Sequence, residues 1–215
     1  MIRARGIAIG LVLSVVVSAA VIGGATSSVA YTCSWVVVPS VDAEPVSELV
    51  AVASISPTDA WAAGNTESGD EFAASHPLLE HYDGSTWSVV SGPHSGSRGI
   101  SDIGFGQSSD GWAVGSFIPT PGTRHHEART LAEHWDGTSW KTVTTPNVGD
   151  YGSNLFGVWE HATNDVWAVG SSNKKSGASD PLALHYDGSK WSVVKTPRSK
   201  KFSRVLTTVH ARSAT

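Results

Sequence analysis

The stretch Ser56–Pro93, which reads SPTDAWAAG…PLLEHYDGSTWSVVSGP, recurs in related form twice more among the 215 residues of this chain. The second copy covers Gln107–Pro146 and the third covers Ala162–Pro197. All three keep Asp-x-Trp-Ala, and later His, an aromatic residue, Asp-Gly, Trp and a final Pro. The His residues of successive copies are 53 and 51 residues apart. A repeat of about 50 residues built from short β-like runs is typical of a β-propeller blade.

Each copy predicts four short strands, named a to d in chain order. Strand a is an apolar run such as Leu49–Ile55, strand b holds Asp-x-Trp, strand c holds the His, and strand d begins at the second Trp. Runs rich in Val, Trp, Tyr and Leu and bounded by Gly, Asp, Ser and Pro favour strands over helices. Tight hairpin turns are predicted between strands c and d, at Asp83-Gly84, Asp136-Gly137 and Asp187-Gly188.

The repeat predicts an all-β fold: an incomplete β-propeller of about three four-stranded antiparallel blades, after an N-terminal signal helix. We expect blades at residues 49–93, 100–146 and 155–197, with partial strands at 33–39 and 205–215. Three blades fall short of the roughly 4 to 8 that propellers usually contain. Two alternatives stay open: a truncated or incomplete propeller, or a partial ring that closes by self-association.

The N-terminus is unlike the repeats. Arg3 and Arg5 precede an apolar stretch, and Ser28-Val29-Ala30 has the small–x–small form of a signal-peptidase site. Residues 1–30 are therefore predicted to be a secretory signal, and the protein is predicted to be secreted. In the alternative, residues 7–24 stay in the membrane as an anchor, although about 17 apolar residues is the short limit for a span.

Charge and cysteine content exclude several classes of function. The net charge of −4 at pH 7 offers no electrostatic basis for binding nucleic acid. The single cysteine, Cys33, excludes an internal disulfide and a metal site of the cysteine type. Cys33 either pairs with another chain or stays unpaired in a frayed terminus.

The most conspicuous residues recur with the repeat, which favours a structural role for them. We expect the Asp of Asp-x-Trp to cap the turn between strands a and b, and the Trp to lie in the blade core. The His of strand c is expected to pack and hydrogen-bond between blades. These structural repeat positions are Asp59, Trp61, His81, Asp83, Trp87, Asp110, Trp112, His134, Asp136, Trp140, Asp165, Trp167, His185, Asp187 and Trp191.

No catalytic residue is predicted, because catalysis needs one asymmetric constellation rather than three copies of one residue. The sequence contains no Gly-x-Ser-x-Gly elbow, phosphate loop or His-Glu-x-x-His motif. His125-His126 with Glu127 is the one local cluster with ligand chemistry, but adjacent residues of an extended chain point to opposite sides. We therefore expect no metal site, no cofactor and no enzymatic activity.

The connections between strands b and c vary most between copies, both in length and in charge. In a propeller they share one side with the connections from strand d to the next strand a. Variable loops on a rigid frame are where binding tends to occur, the alternative being neutral drift in loop length. The candidate binding residues are Asp70, Glu71, Arg124, His125, His126, Arg129, Lys174 and Lys175.

The pattern DxWAVG…L.EHWDG..W..V..P resembles the repeats of exported bacterial proteins related to kelch and sialidase-type propellers, over Ser34–Thr215. The resemblance implies a propeller fold and no particular activity. Asp83–Trp87 is also similar to the Asp-box hairpin of sialidases, which is one residue longer and structural in that family. A sialidase-type enzyme would need an arginine triad and a tyrosine nucleophile, and no arginine stands at a matched inner-strand motif.

These observations predict an exported, non-catalytic propeller repeat protein. It would bind a cell-surface glycan, a cell-wall polymer or a protein through the b–c connections. One alternative is a fragment of a sialidase-like or glycoside-hydrolase-like propeller enzyme whose catalytic residues are missing here. A gene remnant without a folded function of its own is the other.

Overall fold

The computed structural model describes residues 36–41, 46–67, 75–93, 97–119, 128–197 and 202–210. The predicted signal segment, Cys33 and the outer parts of both partial terminal strands lie outside these residues. The strands of the described chain are β1 (Val46–Ser56), β2 (Asp59–Glu67), β3 (His76–Tyr82), β4 (Trp87–Val89), β5 (Ser97–Gln107), β6 (Asp110–Ile118), β7 (Arg129–Trp135), β8 (Trp140–Thr142), β9 (Ser153–Ala162), β10 (Asp165–Asn173), β11 (Ser179–Tyr186) and β12 (Trp191–Val194).

These strands form three four-stranded antiparallel sheets whose strand order follows the chain. Sheet 1 contains β1 to β4, sheet 2 contains β5 to β8, and sheet 3 contains β9 to β12. The described residues contain no helix. The predicted all-β class and the four-stranded antiparallel units are thereby confirmed. Residues 36–39 and 205–210, the described parts of the predicted terminal strands, do not form regular strands.

Steric exclusion explains why glycine ends the Trp-Ala-x-Gly sequence of strand b. The first strand of each sheet carries a bulge, seen as a shift of register against strand b. Next to the bulge the carbonyl oxygen of Glu48 approaches Gly64 so closely that an added Cβ would lie 1.8 Å from it. The same distance is 1.9 Å at Gly115 and at Gly170. A side chain is therefore excluded at this position of all three sheets.

Each sheet has two faces, because alternate residues of a strand point to opposite sides. The leading face carries the Trp of strand b and the His of strand c, which are register partners, as Trp61 and His81 are in sheet 1. The trailing face carries the aromatic residue of strand c and the Trp of strand d, which are Tyr82 and Trp87 in sheet 1.

The leading face of each sheet packs against the trailing face of the next. At the first junction, between sheets 1 and 2, the rings of Trp61 and Trp140 lie edge to face with centroids 5.4 Å apart. At the second junction, between sheets 2 and 3, Trp112 and Trp191 repeat this contact at 5.1 Å. Trp61 is 2% exposed and Trp112 is 0% exposed. The tryptophans that meet at the two junctions are therefore the core between sheets.

A backbone hydrogen bond joins equivalent points at both junctions. The N–H of Arg98, at the start of β5, donates to the carbonyl oxygen of Ser75 over 2.8 Å. The N–H of Ser153, at the start of β9, donates to that of Ala128 over 2.7 Å. The acceptors directly precede β3 and β7. The bond therefore ties the b–c connection of one sheet to the first strand of the next.

Residues 202–210, here called the terminal segment, continue this pattern past sheet 3. The N–H of Arg204 donates to the carbonyl oxygen of Ser179, at the start of β11, over 3.0 Å. Two residues further, the N–H of Leu206 donates to the carbonyl oxygen of Gly170 over 3.1 Å. The terminal segment therefore occupies the position that the first strand of a following sheet would hold.

Candidate functional site

An Asp, a Trp and a His form the same polar group on the leading face of every sheet. In sheet 1, Nε2 of His81 lies 2.9 Å from Oδ1 of Asp59, and the rings of His81 and Trp61 are 4.7 Å apart. The corresponding His–Asp distances are 2.6 Å for His134 and Asp110, and 2.8 Å for His185 and Asp165. Asp and Trp share a face because they are two residues apart on one strand. The His lies on the same face because it is the register partner of the Trp.

This group differs from the expectation in two respects. The His bonds within its own sheet rather than between sheets, because the Asp lies on the neighbouring strand. The Asp carboxylate accepts from the His instead of capping the turn before strand b. In sheet 1 that turn is held by Ser56, whose Oγ accepts from the N–H of Thr58 over 3.2 Å. In sheet 3 the bond from His185 also lowers the pKa of Asp165.

Carboxylates hold the Asp-Gly turns between strands c and d. Oδ1 of Asp83 accepts from the N–H groups of Ser85 and Thr86 at 2.8 and 2.9 Å, and Gly84 has a φ of 95°. Asp136 and Asp187 accept from the residues two and three positions further on in the same way. These bonds lower the pKa of Asp83 to about 2, since they favour the charged form. The role of these aspartates is to shape turns.

One polar cluster at the second junction breaks the repeat. Glu160 on β9 is 7% exposed and Asp110 on β6 is 6% exposed. Their carboxyl groups are hydrogen-bonded to each other, and the N–H of Gly106 donates to Oε2 of Glu160 over 3.1 Å. Burial and the charge of Asp110 raise the pKa of Glu160 to about 8. Glu160 therefore keeps its proton at neutral pH and donates it to Asp110, which also accepts from His134.

The pattern of a single repeat does not predict this asymmetric cluster, but comparison of the copies gives a signal for it. By position in its strand, Glu160 corresponds to Phe105 in sheet 2 and to Ser54 in sheet 1. An acid at a position where another copy has phenylalanine marks a local departure from the scaffold. The cluster escaped notice because its members are far apart in the sequence and come from two different repeat units.

A second buried carboxyl group lies on β7, on the trailing face of sheet 2 that packs at the first junction. Glu133 is 0% exposed, and its Oε1 lies 3.2 Å from Nη1 of Arg98. The same guanidinium nitrogen donates to Oγ1 of Thr142 over 2.9 Å. Burial raises the pKa of Glu133 to about 7, and Arg98 opposes that shift. In sheet 1 the equivalent residue is Glu80, which accepts from Oγ of Ser40 over 3.2 Å.

The structure describes three of the predicted binding residues. Arg129 is exposed at the start of β7, and Lys175 is exposed in the turn after β10. Nζ of Lys174 lies 2.8 Å from Oδ1 of Asp180, so this lysine helps to close its own connection. The three stand on the b–c connections of two different sheets. The other predicted binding residues fall outside the described residues, and they are Asp70, Glu71, Arg124, His125 and His126.

A cleft of about 370 Å³ lies at the b–c end of sheet 3. It lies between this sheet and the connection from β8 to β9. Its lining combines apolar and polar residues, among them Val148, Pro181, Val193, Ser172, Lys195 and Thr196. The hydroxyl of Thr196 donates to the carbonyl oxygen of Pro181 over 2.7 Å, which fixes one wall. The cleft is large enough for a small ligand group.

Among the described residues, no group of three or more His, Cys, Asp or Glu side chains is arranged to hold a metal ion. Nor do these residues include a helix with the length and apolar character needed to cross a bilayer. No protein-family model and no curated protein matches the chain.

Proposed function

We propose that this chain is an exported, non-catalytic β-propeller module that binds a surface glycan. The three sheets are successive blades of an incomplete propeller, after a secretory signal at residues 1–30. Binding takes place on the loop face, meaning the side of the three sheets that carries the b–c connections. A cell-wall polymer or a protein that presents similar polar groups is the other ligand class that this face would accept.

Repetition of the junction geometry supports the propeller. The Trp61–Trp140 contact at the first junction and the Trp112–Trp191 contact at the second are nearly identical in distance and angle. The same backbone hydrogen bond also accompanies both. Sheets that are related by one repeated operation lie side by side around an axis, which is how blades are arranged.

The cleft at the b–c end of sheet 3 is the observation that carries the binding proposal. Val193, which is 46% exposed, and the half-buried Val148 offer apolar surface of the kind on which the C–H groups of a sugar ring pack. The exposed Lys195 lines the same cleft and is a polar partner for sugar hydroxyls. A mostly apolar cleft with a few placed polar groups is the usual form of a small-ligand site.

The state of the repeated polar residues supports a non-catalytic role. Each His of strand c is engaged with the Asp and the Trp of its own sheet. The carboxylates of the Asp-Gly turns are engaged with backbone N–H groups. Residues used identically in three sheets stabilise those sheets, which favours a role in the scaffold for them.

One observation favours the alternative, a fragment of a glycoside-hydrolase-like propeller. Glu160 is a buried carboxylic acid with a pKa of about 8 beside a second carboxyl group, that of Asp110. Glycosidases use a carboxylic acid of raised pKa to protonate the leaving group. Against this alternative, Glu160 lies at 7% exposure between two sheets and on the side away from the b–c connections.

Retention of the full chain on immobilised cell-wall polysaccharides and on a glycan array tests the binding proposal. We expect Lys195→Glu and Val193→Asp to weaken retention at least tenfold, because both residues line the cleft. Lys190→Glu makes the same change of charge in the turn at the opposite end of sheet 3 and should leave retention unchanged. Equal retention of all three variants, or none by the wild type, would refute binding through this cleft.

The enzymatic alternative has a separate readout. If the chain is a hydrolase, the retained polysaccharide releases reducing ends, and Glu160→Gln abolishes that release while the fold persists. We expect no release from any polysaccharide that the chain retains. Steady release that depends on Glu160 would replace the binding proposal with the enzymatic one.

Export is tested by expressing the full coding sequence in a secreting bacterial host. The proposal expects protein in the medium whose N-terminus follows Ala30, because Ser28-Val29-Ala30 has the form of a signal-peptidase site. Ala30→Leu should slow cleavage, because signal peptidase requires a small residue there. Protein that remains in the membrane fraction with Met1 at its N-terminus would support the anchor alternative instead.

A further inference from the structure

The two outer faces of the three-sheet array expose residues whose equivalents are buried at the junctions. On the trailing face of sheet 1, Val52 is 66% exposed, whereas the equivalent Ile103 and Val158 are 4% and 6% exposed. On the leading face of sheet 3, Trp167 is half-buried, whereas Trp61 at the first junction is 2% exposed. Each outer face therefore leaves part of one half of a junction exposed, around Val52 on sheet 1 and around Trp167 on sheet 3.

The two outer faces carry the same kinds of aromatic residues that pack against each other at the first and second junctions. At the second junction Trp112 packs against Tyr186 and Trp191, whose own rings are 5.4 Å apart. Sheet 1 carries the same pair on its trailing face, since Tyr82 and Trp87 lie 5.3 Å apart. Tyr82 is itself 6% exposed, and Ser40 bonds Glu80 on this face, so the open part of the face lies around Val52. The leading face of sheet 3 and the trailing face of sheet 1 thus carry the residues of a third junction, which the described residues of one chain do not form with each other.

The terminal segment holds part of the site on sheet 3. The N–H of Arg204 reaches Ser179 as the N–H of Arg98 reaches Ser75 at the first junction. His210 contacts Trp159 on the first strand at 5.4 Å between ring centroids. On strand b, Trp167 stays half-buried. The segment therefore supplies the backbone bonds of a first strand but does not bury Trp167 as a whole sheet does at each junction.

We propose that a second copy of this chain places its sheet 1 on sheet 3 of the first copy, where its β1 replaces the terminal segment. Between two copies of the described three-sheet unit, the same contact made in the other direction closes a ring of six sheets. Closed symmetric dimers are the commonest soluble assemblies, and six lies within the usual number of propeller blades. This inference rests on the proposed propeller arrangement, but it does not depend on what the loop face binds.

The repeat gives a residue pair that tests the contact directly. Ser47 is the equivalent of Arg98, and Ser179 is the equivalent of Ser75. Ser47 of one copy and Ser179 of the other should therefore be backbone partners, with Cα atoms about 5.5 Å apart, within the range that a disulfide can bridge. In the full chain with Cys33→Ser, we expect Ser47→Cys with Ser179→Cys to give a covalent dimer on mild oxidation. Light scattering should give twice the monomer mass.

A second pair of cysteines tests the competing state, in which the terminal segment stays on sheet 3 of its own chain. Ser179→Cys with Arg204→Cys, also in the Cys33→Ser chain, joins the terminal segment to sheet 3 within one molecule, because these residues share a backbone bond. This variant should stay monomeric when oxidised and should dimerise again when reduced. Dimerisation of the oxidised form would show that the terminal segment does not hold the contact site and would overturn the exchange.

Single substitutions separate the interface from the rest of the same face. Val52→Asp should weaken dimerisation at least tenfold, because its equivalents are buried at both junctions. Val89→Asp is the control: it lies in the same cross-strand row, but its equivalent Val193 stays 46% exposed at the second junction. A monomer at every concentration, an intrachain disulfide between positions 47 and 179, or open polymers would each overturn the six-sheet ring. A monomer that still binds glycan would leave the proposed function intact.

Discussion

The first and second junctions share an aromatic core and differ in the side chain that the first strand of the following sheet contributes. At the first junction this side chain is Phe105, whose ring lies 5.4 Å from Trp61 and 6.0 Å from Trp140. At the second junction the equivalent Glu160 bonds to Asp110. The same scaffold therefore accepts either an apolar contact, which does not respond to pH, or a carboxyl pair that must hold a proton.

The two junctions also differ in the side chain that bonds the backbone of the following sheet. At the first junction the neutral carboxamide of Asn65 bonds both the N–H and the carbonyl oxygen of Ile100, at 2.8 and 3.1 Å. At the second, Oδ2 of Asp102 accepts from the N–H of Val158 over 2.8 Å, and burial raises the pKa of Asp102. At these backbone contacts the first junction therefore uses a neutral amide and the second an acid.

The largest expected effect tests what the junctions have in common. Trp61→Ala and Trp112→Ala each remove a buried indole from one junction, and each should lower the free energy of unfolding by about 3 to 5 kcal/mol. Trp167→Ala removes the equivalent ring from the open face of sheet 3 and should lower it by about 1 to 2 kcal/mol, in proportion to its partial burial. Urea unfolding followed by far-ultraviolet circular dichroism, at a concentration where the chain is monomeric, measures all three. An equal loss at Trp167 would contradict the view that burial at a junction decides the effect.

The pH dependence of stability separates the two junctions. The pKa of Glu160 is raised from 4.5 to about 8 on folding, so its contribution is complete below pH 4.5 and is lost as the pH rises through 8. We expect the free energy of unfolding to fall by about 1 to 3 kcal/mol between pH 5 and pH 9, less than the full shift implies because water screens part of the pair. Glu160→Gln keeps a donor toward Asp110 and should remove the part of this loss near pH 8.

Glu133 is the control for that experiment. Its pKa is raised to about 7 by burial at the first junction, so it also contributes stability that is lost as the pH rises. Glu133→Gln should remove the part of the loss near pH 7 and leave the part near pH 8. If the alkaline loss survives in Glu160→Gln and disappears in Glu133→Gln, the second junction is not the pH-sensitive one.

A smaller effect tests why sheet 2 has glycine where sheet 3 has valine. A Cβ added at Gly111 would lie 2.3 Å from Cε1 of Phe105, whereas the equivalent Val166 faces Glu160. Gly111→Ala should therefore cost about 1 to 2 kcal/mol by displacing the phenyl ring. In the Phe105→Ala background the same change should be nearly neutral, which a double-mutant cycle of unfolding free energies measures. Additive losses would mean that the clash is relieved elsewhere.

The repeat predicts features that depend on local spacing in the sequence. It does not predict features that depend on how strands or sheets pair. The strands, their order and the Asp-Gly turns depend on local spacing, so Trp61, Asp83 and their copies were enough to predict four-stranded antiparallel units. The His–Asp bond depends on the register of two strands joined by a variable connection. His81 was therefore predicted to act between sheets, whereas it bonds Asp59 within its own sheet.

The polar cluster of the second junction was even harder to predict from the sequence. Glu160 and Asp110 come together only because two complete sheets pack face to face, and no spacing within one repeat encodes that contact. Comparison of the copies could have marked Glu160 as a departure from Phe105, but not its partner. The cleft likewise depends on how the connection to β9 passes sheet 3, which no local motif specifies.

The smallest expected effect concerns a feature that every sheet shares. Backbone and side-chain hydrogen bonds lower the pKa of Asp83 and of Asp187 from 3.8 to about 2. Their contribution is therefore complete above pH 3.8 and is lost as the pH falls through 2, which is opposite in sign to that of Glu160. Carboxyl chemical shifts in an NMR titration should give both values near 2, and Asp83→Asn should leave Asp187 unchanged. A pKa of Asp83 near 3.8 would mean that the turn is not held by its carboxylate. If both values are near 2, acid weakens sheets 1 and 3 alike, whereas alkali weakens the second junction.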